Sequence, residues 1–246
     1  MSRFDGKVAL VTGGSRGIGA AIARKLAADG ADIALTYARA ADQARAVAAD
    51  IEALGRRSLT IAADNADAAA VQAAVETTVT ALGRLDILVN NAGIFVAGPL
   101  ETLTLEDFDR TIAVNLRAAF VASKAAASRM GEEGRIISIG SNLAVRVPGP
   151  GITIYALSKA ALVGMTKGMA RDLGPRGITV NVVHPGSTDT DMNPESSPHA
   201  DNQRNLMAIP RFAKPHDVAG LVAWLASAEA RSVTGAEFTI DGGANA

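Results

Sequence analysis

The sequence contains no cysteine. Disulfide staples, thiolate nucleophiles and cysteine-ligated zinc are therefore excluded, and a reducing, cytoplasmic setting is expected. Aromatic residues make up only 4% of the chain. No apolar run approaches the ~20 residues needed to cross a bilayer. Neither charge sign is in excess: the net charge is -1. That removes the electrostatic basis for a nucleic-acid or anionic-membrane partner. Histidine is scarce too. His199 and His216 lack metal-ligand spacing, and His184, before Pro185 at a strand end, reads as packed, so no metal is expected. Residues 1–7 lack the apolar segment of a secretory leader. What is present is 48% apolar residue in a chain of 246, enough for a large core.

Short apolar runs alternate with helical patterns along the whole chain. Strands are expected at 7–12, 32–37, 58–63, 85–90, 134–140, 178–184 and 237–241. Helices are expected at 18–29, 40–54, 68–82, 105–130 and 155–173, with a last one starting at Pro215, a favoured first-turn residue. Such alternation predicts an α/β, doubly wound, Rossmann-type fold with a mostly seven-stranded parallel sheet and helices on both faces. No linker, repeat or composition break interrupts it, so residues 1–246 read as a single doubly wound domain. Ligands in such folds bind beyond the carboxyl ends of the strands.

Two loops carry the clearest chemistry. The first strand runs into Thr12-Gly13-Gly14-Ser15-Arg16-Gly17-Ile18-Gly19, which opens a helix. Glycines there allow a backbone to approach a pyrophosphate, and the helix N-terminus favours its charge. Farther on, Tyr155 and Lys159 stand four residues apart in a helical stretch, one turn apart on one face. A cation in that position is expected to lower the phenol pKa and fit it for proton transfer near neutrality.

Thr-Gly-x3-Gly-x-Gly followed by Tyr-x3-Lys resembles the short-chain dehydrogenase/reductase family, and the match extends from about residue 7 to 243. The resemblance implies a catalytic set of Asn115, Ser141, Tyr155 and Lys159. It implies a nicotinamide cofactor held by Gly13, Ser15, Arg16, Gly17, Ile18 and Gly19 in the first loop, and by Tyr37 and Arg39 after the second strand. Asp64 and Asn65 would face the adenine. Asn91, Ala92 and Gly93, in Asn90-Asn91-Ala92-Gly93, would line the cofactor cleft. Tyr155 and Lys159 would meet the nicotinamide ribose, and Pro185, Gly186, Thr188 and Thr190 the carboxamide. In this scheme Asn115 holds a water that connects Lys159 to solvent. The fold could also serve a non-catalytic NADP(H)-sensing protein, but that reading predicts a broken catalytic set, and all four residues are present.

The end of the second strand selects the cofactor. NAD-preferring relatives carry an acidic residue there; this chain has Tyr37, with Arg16 and Arg39 nearby to pair a 2′-phosphate. NADP(H), and reduction of a ketone, are the expectation. The polar segment 187–214 is expected to be a mobile substrate-binding loop, with Phe95, Leu143, Val145 and Met192 as pocket walls. The nearest resemblance is to β-ketoacyl-carrier-protein reductases and bacterial ketone reductases. Two departures favour a general ketone reductase over a 3-oxoacyl-[acyl-carrier-protein] reductase. The loop between Ser141 and Tyr155 is a residue longer, and the turn at 130–133 is acidic where an acidic carrier protein would need a basic surface. A small-molecule ketone or alcohol partner and a homotetramer paired through alanine-rich faces at 118–127 and 156–161 complete the expectation.

Overall fold

The computed structural model describes residues 2–246. Seven strands form one all-parallel sheet: β1 (Val8–Val11), β2 (Asp32–Tyr37), β3 (Ser58–Ala62), β4 (Ile87–Asn90), β5 (Arg135–Ile139), β6 (Thr179–Pro185) and β7 (Glu237–Ile240). Their order is β3-β2-β1-β4-β5-β6-β7. Helices α1 (Gly17–Ala28), α2 (Ala41–Ala53), α3 (Ala68–Leu82), α4 (Leu105–Ile112), α5 (Ala118–Arg129), α6 (Thr153–Leu173), α7 (Ala200–Arg204) and α8 (Pro215–Ala226) complete the chain.

Side chains alternate across each strand, so one strand feeds two cores. Ala9 and Val11 pack with Ile22 and Leu26 of α1, Val47 and Ile51 of α2, and Val222 of α8. Val8 and Leu10 point the other way, toward Val71 and Val75 of α3, Ala122 and Ala126 of α5, and Ala170 of α6. Every residue of β1, β4, β5 and β6 is buried. Burial on both faces is why these strands read as continuous apolar runs rather than alternating ones. The first two crossovers place α1 and α2 on one face, and the third, through α3, runs on the other. The direction of travel therefore reverses between β1 and β4, and a crevice opens beyond their carboxyl ends.

Two expected elements differ. The stretch 105–130 is not one regular helix: a π-helical turn, Ala113–Arg117, separates α4 from α5. The Ala118 N–H reaches back to Ala113 O there, one residue farther than in an α-helix. Helix-forming composition does not encode such a slip. The segment 187–214 is not wholly irregular either. It contains α7, and its ends meet where Asp189 N donates to Ala213 O (2.9 Å) and Ala213 N to Ser187 O (3.0 Å). Lys214 Nζ donates to Asp189 (3.1 Å) and Glu195 (2.9 Å), and the Asn193 and Gln203 amides pair reciprocally at 2.9 Å. Its polar residues are one another's partners, a fact hidden from linear sequence.

The alanine-rich faces are largely used internally: Ala118, Ala119, Ala122 and Ala126 are buried. The apolar side chains left exposed nearby are larger, among them Leu105, Phe108, Phe120 and Leu157. Among the described residues no helix is long and apolar enough to cross a membrane. No cluster of three potential metal ligands occurs among them either.

Leu10 is fully buried in the central strand. Leu10→Ala is expected to lower stability by about 2–5 kcal/mol with an unchanged denaturant slope, as measured by urea melts.

Candidate active site

The crevice is a cleft of about 1210 Å³ reaching from the loop after β1 to the segment beyond β6. Its floor is a hydrogen-bonded seam between β1 and β4. Thr12 Oγ1 accepts from Asn91 N (3.0 Å) and Ala92 N (3.1 Å), and Asn91 Nδ2 donates to Thr12 O (2.9 Å) and Gly13 O (3.0 Å). This seam makes two glycines obligatory. Gly13 has φ +63°, and a Cβ there would lie 2.9 Å from Ala92 Cα. A Cβ on Gly19 would lie 2.4 Å from both Asn91 Nδ2 and Gly13 O. Gly19 thus serves the close approach of α1 to the seam, a use that the sequence alone did not reveal.

The loop is also tied to β2, where Thr36 Oγ1 accepts from Gly13 N at 3.0 Å. Arg16 precedes α1 without capping it by its side chain, and the first-turn N–H groups of the helix face the cleft mouth with Ser15, Gly17 and Ile18. Tyr37 and exposed Arg39 border the same end, as do Asp64 and buried Asn65. A helix N-terminus, two guanidinium groups and an acid-free β2 end form a donor set that fits a dinucleotide with an extra phosphate. One feature is invisible in the motif: Arg16 lies 3.6 Å from Asp191, so the glycine loop touches the segment after β6. Thr190 stands over Gly17, 3.4 Å from where its Cβ would be.

At the other end, Ser141, Tyr155 and Lys159 share one wall. Tyr155 and Lys159 lie one turn apart on α6, with the Lys159 Nζ 5.8 Å from the phenol ring centre. Lys159 is buried and donates to Ile139 O at 2.8 Å. The Ser141 hydroxyl stands beside the Tyr155 phenol and accepts from Leu143 N at 3.2 Å. Phe95 meets the Tyr155 ring edge-on, with centres 4.9 Å apart. Pro185, Gly186, Thr188, Thr190 and Met192 close the far side, and Ala92 and Gly93 lie beneath.

Asn115 does not line the cleft. Its side chain clamps the main chain of Ile94, accepting from the N–H (2.8 Å) and donating to the carbonyl (3.0 Å), and it also donates to Ser158 Oγ (3.0 Å). So occupied, the side chain braces the segment after β4, the π turn and α6 against one another. Gly93 sits between it and Lys159, where a Cβ would crowd both, at 3.3 and 3.4 Å.

The expected lowering of the tyrosine pKa by lysine is corrected here. Burial pushes the Tyr155 phenol up, and the neighbouring Ser141 hydroxyl works in the opposite direction. Burial also pulls Lys159 down to about 8. With the ammonium 5.8 Å from the ring centre, burial is the largest influence on the phenol. Val145 is a second correction: it is 61% exposed and stands outside the cleft. Pro148, Pro150, Ile152 and Leu206 line it instead, along with Phe95, Leu143 and Met192. The prolines lie in the longer loop that the sequence singled out, but only the fold turns them inward.

A family model described as enoyl-(acyl carrier protein) reductase matches residues 13–245. This chain belongs to the short-chain dehydrogenase/reductase family. Among solved members, a short chain dehydrogenase from Burkholderia cenocepacia J2315 in complex with NADP shares 64% identity and superposes with a TM-score of 0.98 over 99% of this chain and 100% of that one. A blue fluorescent protein from a metagenomic library, in complex with NADPH, shares 55% identity, with a TM-score of 0.98 over 99% and 100% of the two chains. The cyclic-di-GMP-binding biofilm dispersal mediator protein of Escherichia coli (strain K12) is 49% identical over 98% of each chain. Close structural relatives of this family member are therefore crystallised with NADP or NADPH.

Lys159 gives the site a pH signature. The unfolded chain holds its proton to about pH 10.5, but the folded chain only to about 8. Between these values the unfolded state binds more protons, so stability rises with pH across that window and the burial penalty is complete below it. Lys159→Met is expected to stabilise the nucleotide-free protein at pH 7 by about 2–3 kcal/mol, with the difference shrinking toward pH 10. Urea melts at the two pH values check this.

Proposed function

We propose that this protein is an NADP(H)-dependent oxidoreductase that reduces a ketone or other carbonyl to a secondary alcohol. The observation carrying the reading is the convergence of Tyr155 and Ser141 on one wall of the cleft, with Lys159 buried one turn away. The whole chain acts as a single dinucleotide-binding domain, and 187–214 is its substrate-binding segment. The cofactor is held by the glycine loop and α1, with Arg16 and Arg39 for its 2′-phosphate, Asp64 and Asn65 beside its adenine, and Lys159 at its nicotinamide ribose. When bound, the reduced nicotinamide supplies hydride to the carbonyl carbon.

Tyr155 gives its phenolic proton to the carbonyl oxygen as that oxygen gains charge. Its raised pKa keeps the phenol protonated at neutral pH, the form needed to donate. Ser141 hydrogen-bonds the same oxygen and stabilises the developing charge. Lys159 stays close enough to steady the resulting phenolate. Asn115 keeps the π turn, Ile94 and Ser158 in register with Lys159. Phe95, Leu143, Pro150, Ile152 and Met192 give the substrate end an apolar lining, suited to the hydrocarbon flanks of a ketone. The acidic turn at 130–133 still favours a free ketone over a substrate carried on an acidic protein. The exposed Phe108, Phe120 and Leu157 supply apolar surface for a homotetramer.

A second reading is a binding protein for a cyclic dinucleotide, favoured by the 49% identity to the Escherichia coli dispersal mediator. It does not require the reactive set to turn over. One experiment separates the two: NADPH and NADH oxidation against a panel of β-ketoesters, diketones, cyclic ketones and acetoacetyl thioesters, run beside calorimetric titration with cyclic-di-GMP. Turnover with NADPH preferred, and a loss of about 10²-fold or more in Tyr155→Phe, is expected. Binding of the dinucleotide without any ketone turnover would replace the reductase reading. The Arg16→Ala/Arg39→Ala pair is expected to raise the KM for NADPH at least about tenfold while leaving that for NADH nearly unchanged; faster wild-type turnover with NADH would refute the NADP(H) assignment.

A further inference from the structure

We propose that His184 is a positioning residue for Ser141, accepting the Ser141 main-chain N–H at its bare Nδ1 and thereby setting where the serine hydroxyl meets Tyr155. The proposal deepens, and rests on, the reductase reading above. Its physical basis is the place where the sheet runs out. Gly140 N donates to Val183 O at 2.7 Å, the last main-chain bond between the ends of β5 and β6. The next donor, Ser141 N, is buried and would be left without a partner. His184, itself fully buried at the end of β6, supplies that partner with Nδ1 at 3.2 Å.

Gly140 is the matching half of the arrangement. A Cβ there would lie 2.4 Å from His184 Nδ1 and 2.8 Å from Cε1, so the ring reaches Ser141 only across a glycine. The consequences pass directly to the reacting wall. Ser141 begins the 3-10 turn Asn142–Ala144 and its hydroxyl accepts from Leu143 N. Shifting the Ser141 main chain therefore moves both the hydroxyl and the Leu143 wall.

An accepting Nδ1 requires the tautomer with hydrogen on Nε2. Nε2 lies 3.5 Å from Glu237 Oε2 on β7, and Glu237 is paired to Lys167 of α6 at 2.7 Å. The charged groups facing the imidazole are thus Glu237, with Lys167 behind it, and Lys159. Burial, the largest influence, and Lys159 oppose a charged ring, Glu237 favours one, and the pKa falls below the ordinary histidine value. His184 consequently remains an acceptor throughout the neutral range. Protonation would set an N–H against the Ser141 N–H and release the serine turn.

Two variants separate positioning from packing. His184→Asn keeps an acceptor oxygen at the δ position, whereas His184→Leu fills similar space with none. His184→Leu is expected to lose about tenfold or more in kcat on the best ketone, with little change in the Kd for NADPH, and His184→Asn to recover most of that loss. Equal kcat in the two variants would overturn the proposal. Nitrogen-15 NMR of the imidazoles in the intact protein, with the His184 signal identified by its loss in His184→Asn, provides a test free of turnover. Bare Nδ1 with Nε2–H, persisting below the ordinary histidine pKa, is expected. An Nδ1–H tautomer would refute the proposal even if the wild type reduces ketones. If no ketone is turned over but the tautomer is as stated, the reductase reading fails while the hydrogen bond to Ser141 stands.

Discussion

Burying the Lys159 ammonium removes solvation that one carbonyl, Ile139 O at 2.8 Å, only partly returns. The neighbouring structure is shaped by that charge. Gly93 has no side chain where one would crowd the ammonium. Asn115 and Ser158 form a hydrogen-bonded layer behind it, and the π turn gives Asn115 the angle to reach Ile94 and Ser158 together. The same burial raises the Tyr155 phenol. An acid that stays protonated beside a base that readily loses its proton is a pairing that low dielectric produces without direct contact between the two groups.

The second constraint is the reversal of strand order between β1 and β4. It creates the crevice, and the Thr12–Asn91 seam keeps the strand ends together beneath it. Each strand then delivers one part of the site at its carboxyl end: β1 the glycine loop, β2 Tyr37, β4 Gly93, β5 Ser141, β6 Pro185 and Gly186. Contributions as distant in the chain as Gly13 and Gly186 are brought to one cleft because every strand points the same way. The Arg16–Asp191 contact links its two ends across the mouth.

Much of this was legible in the chain. The parallel sheet followed from apolar runs alternating with helical stretches, and Pro215 marked the start of α8. The glycine loop and the Tyr155–Lys159 spacing were visible because local spacing expresses them directly. Less legible were features that depend on distant partners. Val145 reads as a pocket wall by proximity to Ser141, yet the 3-10 turn at Asn142–Ala144 carries it outward. The segment 187–214 reads as an irregular loop because the polar side chains that hold it find one another only after folding. His184 reads as packing, and packed it is, but its Nδ1 also satisfies Ser141 N, a main-chain donor just beyond the end of β5.

The sequence by itself determined the class of fold, the family and the candidates for reactive side chains, because periodicity, glycine placement and one-turn spacing are properties of short stretches. Tertiary structure decided the electrostatics of those groups, the side chains that wall the substrate end, and the use of Gly19, Asn115 and His184 as structural supports. Each of these depends on desolvation or on contact between residues far apart in the chain, and neither exists until the sheet has closed around its two cores.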